Sequence, residues 1–126
     1  MAKSLLEIGL DFDDWPQRWM GLPEDIPYGE EIVSIFMPFA EDLLSKGYKD
    51  KTVKKHIDNL WLLGGELIRE VNMDPDLRNT EALALLLENI GTYGGPYCSH
   101  LETDEEFKSF DSTCRKLFKF LQLTKR

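Results

Sequence analysis

Apolar side chains along this chain recur at steps of three and four, and no stretch alternates with period two. That pattern predicts helices and no strands. The clearest helix covers 51–71, where Val53, Ile57, Leu60, Gly64, Leu67 and Val71 form one buried seam. Asp50 or Thr52 is placed to cap its start. Two glycines in its middle, Gly64 and Gly65, should cost on the order of 2 kcal/mol relative to alanines. A second helix crossing close to the backbone at Gly64 is the expected compensation, with a bend as the alternative.

Upstream, Ile32, Ile35, Phe36, Phe39, Leu43 and Leu44 repeat helically between Glu30 and Lys46, and Gly47 supplies the stop. Pro38 lies inside this run and removes a hydrogen bond to the Ser34 carbonyl, which predicts a kink or break near 34–38. A fourth helix is predicted from Thr80 to Ile90, ended by Gly91. Its Ala82–Leu87 segment is apolar all round, the mark of a central helix. The last helix has two possible starts, a Thr103–Glu106 capping box and a Ser99–Glu102 one. Phe107, Phe110, Cys114, Leu117 and Leu121 then line one of its faces.

The expected architecture is therefore all-α: a single domain over 1–126 with four to five principal helices, the helical body occupying 30–122. Residues 1–28 read as an irregular acidic arm, broken by Pro16, Pro23 and Pro27. Asp14 can cap a short helix carrying Pro16 in its first turn. Trp15 and Trp19 make this arm either a strap packed onto the body or a contact for a partner.

Composition adds bounds. A chain of 126 residues with 42% apolar and 30% charged residues can bury a core of its own. The formal charge of −8 weakens a simple nucleic-acid reading, but the charge is segregated. Lys46, Lys49, Lys51, Lys54 and Lys55 cluster against Asp50 alone, and 115–126 holds five bases and no acid. Solvated faces are the plain reading; basic patches for an anionic partner are the sharper one. The opening MAKSLLEIGL is too short in apolar length for a signal peptide, and no run suggests a membrane span. With two cysteines, too few for a disulfide framework, a cytoplasmic chain with reduced thiols is expected.

The segment GTYGGPYCSH (91–100) holds the candidate chemistry. Its glycines match neither phosphate-binding loop pattern and follow no predicted strand. They read instead as a helix stop at Gly91 and a reversal at Gly94-Gly95-Pro96. Cys98 with His100 or His56 would make a nucleophile and base only if they met in space. As a metal set, Cys98, His100, His56 and Cys114 lack paired-ligand spacing, so no metal and no cofactor are expected. DFDD (11–14) opens like a calcium loop, but Trp15, Pro16 and Leu22 occupy the positions where two ligands and a glycine belong. His56 reads as an edge-of-core residue with a satisfied hydrogen bond, and Trp61 as core-flanking.

The stretch FMPFAEDLLSKGYKDKTVKKHIDNLWLLGGELI (36–68) resembles the helical, SAM-like core-binding domain of phage integrases and other tyrosine recombinases. The features that carry the resemblance are an apolar helix, a Lys-Gly turn, a short capped step with threonine, and a second helix basic near its start. The resemblance implies phosphate contacts from Lys49, Lys51, Thr52, Lys54 and Lys55, with His56 beside them. It implies no recombinase activity, since no catalytic domain accompanies it. The first functional expectation is a small cytoplasmic interaction or regulatory protein without catalytic activity, with a protein partner. A nucleic-acid-binding module using Lys49–Lys55 is the alternative, and a small enzyme centred on Cys98 and His100 the third. Oligomeric state is not legible.

Overall fold

The computed structural model describes residues 12–124. The first eleven residues of the arm and the basic pair Lys125 and Arg126 lie outside the described residues. The fold is all-α. A 3₁₀ turn at Phe12–Asp14 leads into α1 (Trp15–Trp19), followed by α2 (Asp25–Ser45) and α3 (Asp50–Met73). A second 3₁₀ turn, Pro75–Asn79, precedes α4 (Ala82–Asn89), and α5 (Asp104–Thr124) closes the order. Among the described residues there is no strand, only one isolated bridge between Gly91 and Gly94.

The central helix is α3, against which α1, α2, α5 and the second 3₁₀ turn all pack. Its expected seam is buried throughout: Val53, Ile57, Leu60, Gly64, Leu67 and Val71. The neighbour that makes Gly64 necessary is a side chain, not a crossing principal helix. A Cβ there would overlap the six-membered ring of Trp19, so only glycine leaves room for it. Helix α3 starts at Asp50, with Lys49 rather than Asp50 or Thr52 at the cap position and making no side-chain cap bond. The Val53 amide instead donates to the Lys49 carbonyl at 3.0 Å.

Three expectations about α2 and α4 need correcting. Helix α2 begins at Asp25, inside the supposed arm, because Pro27 falls in a first turn where its missing amide has no partner to lose. It also runs unbroken through Pro38. An internal proline costs about 3 kcal/mol, but Phe36, Phe39, Ala40 and Leu43 around it are almost wholly buried. Each large apolar side chain so buried contributes roughly 1.5–3 kcal/mol, which outweighs the proline. Pro38 and Ser34 lie on the exposed side, where water can serve the freed carbonyl. Helix α4 is not central: it covers α2 with Ala82, Leu85 and Leu86 and leaves Leu83 37% exposed. With only two turns it needs one buried face, so its uniform apolarity was misleading.

The connections also sort out. Gly47 stops α2 as expected, at φ 80°, with its amide on the Leu44 carbonyl at 3.2 Å. Gly91 does not stop α4: Ile90 is already extended at φ −123° and ψ 160°, and the Asn89 side chain donates back to the Leu85 carbonyl at 2.9 Å. The chain reverses between Gly91 and Gly94, whose amides and carbonyls pair reciprocally at 3.0 and 3.2 Å, earlier than the predicted Gly94-Gly95-Pro96. For α5 the Thr103 box is the one formed. The Glu106 amide donates to Thr103 Oγ1 at 3.1 Å, and Glu106 Oε1 accepts from the Thr103 amide at 3.1 Å. Ser99 is therefore not a cap, and the irregular segment runs on to Thr103.

Candidate binding groove

Two helix ends and one loop build a surface groove. The last turns of α2 supply Phe39, Asp42 and Leu43, and the cap residue that follows supplies Lys46. Gly47 then turns the chain so that Tyr48 stands beside the start of α3. The C-terminal half of α5 supplies Lys116, Lys119, Phe120 and Leu123. Both helices lean on α3 and meet through the Phe39 and Phe120 rings, whose centroids are 5.6 Å apart. The result is a groove of about 370 Å³ with an apolar floor of Phe39, Leu43 and Phe120.

Its rim is basic. Lys46 Nζ pairs with Asp42 Oδ2 at 2.9 Å, one helical turn away. Lys116 Nζ lies 5.7 Å from the centroid of the Tyr48 ring, a cation–π contact that holds the ammonium over the groove. Three lysines against one aspartate leave the groove positive on a chain whose formal charge is −8. Lys46 belongs to one basic run of the sequence, and Lys116 and Lys119 to the other, so folding brings the two runs to one place.

Beneath the Tyr48 side lies a buried polar cluster joining α3 to α5. The Tyr48 ring meets His56 edge-on, with centroids 6.5 Å apart. His56 Nδ1 is 2.7 Å from Thr113 Oγ1. The Asn59 amide donates to Thr113 Oγ1 at 2.9 Å and to the Ser109 carbonyl at 3.2 Å. Burial, with Lys116 and Lys55 nearby, lowers the pKa of His56 below that of a free imidazole. His56 is thus the bonded edge-of-core residue expected of it, and it is not presented at the surface.

Compared with known proteins, the chain matches no family model, no curated protein and no solved structure. Its own geometry must carry the reading.

The other residues singled out from the sequence fall elsewhere. Lys49 at the cap of α3 and Lys51, Lys54 and Lys55 on its first turns are exposed, Thr52 is half-buried, and none of them lines the groove. Lys55 instead borders a shallower depression with Asp58, Glu105 and Glu106, where carboxylates offset it. Trp15 is 8% exposed, and the Trp19 indole donates to the Trp61 carbonyl at 3.1 Å. The three tryptophans form one cluster with centroid separations of 5.4–5.6 Å, so the arm packs onto α3 as a strap.

Cys98, His100 and His56 are not brought together. Cys98 is wholly buried, and burial raises its thiol pKa despite the nearby amides of His100 and Leu101. His100 is exposed, and among the described residues Cys98 bonds to neither imidazole. Cys114, also buried, is pushed up to about 12, chiefly by desolvation. Among the described residues no group of three or more His, Cys, Asp or Glu side chains could hold a metal ion. None of their helices is long and apolar enough to cross a membrane.

Sequence reasoning missed three participants. Tyr48, Phe39 and Phe120 gave no local sign of facing one another across 81 positions of chain, and only the two basic runs hinted at the site. Asp25, read as one acid of an exposed arm, is completely buried and holds the arm to the body. It accepts from the amides of Gly21 and Leu22 at 2.9 Å, from Asn72 at 2.7 Å and from Arg78 at 2.8 Å.

Proposed function

We propose that this protein is a cytoplasmic, non-catalytic binding module that acts by docking an anionic partner in the groove between α2 and α5. The observation that carries the reading is the convergence of Lys46, Lys116 and Lys119 around an apolar floor on an otherwise acidic molecule. A charge patch of opposite sign to the whole steers encounter and fixes orientation. Screening confines its field to roughly 8 Å at physiological ionic strength, so the local sign governs docking there rather than the net charge. Two buried thiols in the reduced state fit a reducing compartment.

Duplex DNA is the competing occupant. The resemblance of 36–68 to core-binding domains assigns it to Lys49, Lys51, Thr52, Lys54 and Lys55, at the cap and in the first turns of α3. Retention of the full chain on immobilised polyglutamate and on immobilised duplex DNA, as salt is raised, separates the two. The expected result is retention on polyglutamate that K116E/K119E abolishes and K51E/K54E leaves in place. Retention on DNA alone, lost in K51E/K54E, would transfer the function to α3. Passage through both columns at low salt would remove the groove as a docking surface.

A further inference from the structure

The depression between α3 and the start of α5 carries the opposite charge from the groove. On α3, Lys55, Asp58, Asn59 and Leu62 follow steps of three and four, so they share one face. The first turns of α5 bring Glu105 and Glu106 to that face, and the depression measures about 310 Å³. Three carboxylates meet one ammonium there. Among the described residues Lys55 forms an ion pair with none of them. Glu106 is held in its charged form, because the Glu102 and Thr103 amides donate to Oε1 at 2.8 and 3.1 Å and lower its pKa.

Acidic side chains alone would be a solvated rim. Asn59 makes more of it. The residue is only 7% exposed, and α5 fixes its amide: Nδ2 donates to the Ser109 carbonyl at 3.2 Å and to Thr113 Oγ1 at 2.9 Å. A carbonyl only accepts, so the nitrogen must be the atom on that side. Oδ1 accepts from no group among the described residues. It is not sealed in the interior either, since among them only Arg78 Nε is a buried side-chain atom without a partner. Asn59 therefore turns a free acceptor, on a side chain that cannot swing away, into the depression it lines. We infer that this depression binds an alkylguanidinium, the head group of arginine: its N–H fork donates to Asn59 Oδ1 and to the carboxylates around it, and its methylene stem lies along Leu62 and Leu101.

The arrangement suits a guanidinium above other cations. Among the described residues no three His, Cys, Asp or Glu side chains gather so as to hold a metal ion. The acceptors are spread over two helices, and a planar fork of five N–H groups reaches separate acceptors, where an ammonium is a compact point charge. A guanidinium is also the more weakly hydrated of the two, which favours it beside a nearly buried amide. None of these residues lines the groove between α2 and α5, so the two sites are tested independently.

The test titrates the full ¹⁵N-labelled chain with N-acetylarginine amide, free L-arginine, N-acetyllysine amide, neutral N-acetylcitrulline amide and calcium chloride. N-acetylarginine amide should shift the Asn59 side-chain NH₂ pair and the backbone amides of Asp58, Glu105 and Glu106. It should bind at least tenfold more tightly than the citrulline probe and about threefold more tightly than the lysine probe. D58N/E105Q, at exposed positions where folding is not at risk, should cost at least tenfold. K55Q removes the one like charge and should tighten binding about threefold, a gain that misfolding cannot imitate. Free L-arginine brings a carboxylate of its own: weaker binding than the amide assigns the head group to a polypeptide side chain, equal or tighter binding to the free amino acid, and either keeps the site. Citrulline binding as tightly as arginine would overturn the charge recognition, and lysine doing so would overturn the fork. Calcium moving the same signals at lower concentration than arginine would make it a metal site instead. Shifts that miss Asn59, or that D58N/E105Q leaves unchanged, would remove the site.

Discussion

At Gly64 and Gly65 adjacent positions make opposite demands on the same residue type. A methyl group at Gly64 collides with the Trp19 ring, whereas at Gly65 it meets the nearest Trp19 atom at 3.6 Å, an ordinary contact. Gly64→Ala should therefore destabilise by about 1–3 kcal/mol through overpacking. Gly65→Ala should stabilise by up to about 1 kcal/mol through helix propensity. Urea unfolding followed by far-ultraviolet circular dichroism checks both signs, and a loss in both variants would mean that the ring approaches closer than described. Asp25 supplies a second residue-scale prediction. Burial alone would raise its carboxyl, but Arg78, the Leu22 amide, Asn72 and the Gly21 amide together hold it at about 2. A carboxyl bound more weakly to its proton when folded than unfolded stabilises the fold above its unfolded pKa. From 3.8 to about 2 this is worth about 2 kcal/mol, lost as pH falls through that interval. Asp25→Asn should be less stable at neutral pH and lose less stability between pH 4 and 2, measured by urea midpoints across that range.

Among elements, the capping box is the most direct test of which start α5 uses. Thr103→Ala should cost about 1 kcal/mol, the usual penalty for losing an N-cap hydroxyl, and Ser99→Ala should change the urea midpoint little. A loss at Ser99 equal to that at Thr103 would contradict the helix start at Asp104. Elements were legible where periodicity and burial agree. The α3 seam could be read because six positions at helical spacing meet one continuous interface. Of the kink or break expected at Pro38, the break does not occur, because the cost of one hydrogen bond is local and the burial that overrides it is not. The central place expected of α4 failed because apolar composition does not say how many neighbours a two-turn helix will have. The groove was legible only as two basic runs, since no local pattern places Phe39 against Phe120. Asp25 was opaque for the same reason, its partners Asn72 and Arg78 lying 47 and 53 positions away.

On the scale of the whole molecule, the joints that hold elements to α3 include the tryptophan strap and the His56–Thr113–Asn59 cluster that ties it to α5. The second is pH-sensitive. Its surroundings are Lys116 from α5, Lys55 from α3 and the Tyr48 ring, with no carboxylate among the causes that set the imidazole's pKa. The folded state disfavours the protonated ring, so the unfolded chain takes up more protons as pH falls through about 6.5. Stability is full above that pH and declines below it until the lowered folded pKa is reached. His56→Gln should flatten this decline between pH 7 and 5, measured by urea midpoints, and an unchanged slope would refute the linkage.

The strap has an optical consequence. The chain has three tryptophans, and all of them, Trp15, Trp19 and Trp61, sit in one cluster, while none lines the groove. Intrinsic indole emission is therefore a gauge of a single contact. It reports whether α1 rests on α3 and is nearly silent about the groove. If the strap lifts before the helices melt, emission will shift at a lower denaturant concentration than the helical signal is lost, and the two curves will part. A two-state transition makes them coincide. The chain thus carries its own label for one event, placed by a glycine that leaves room for a ring.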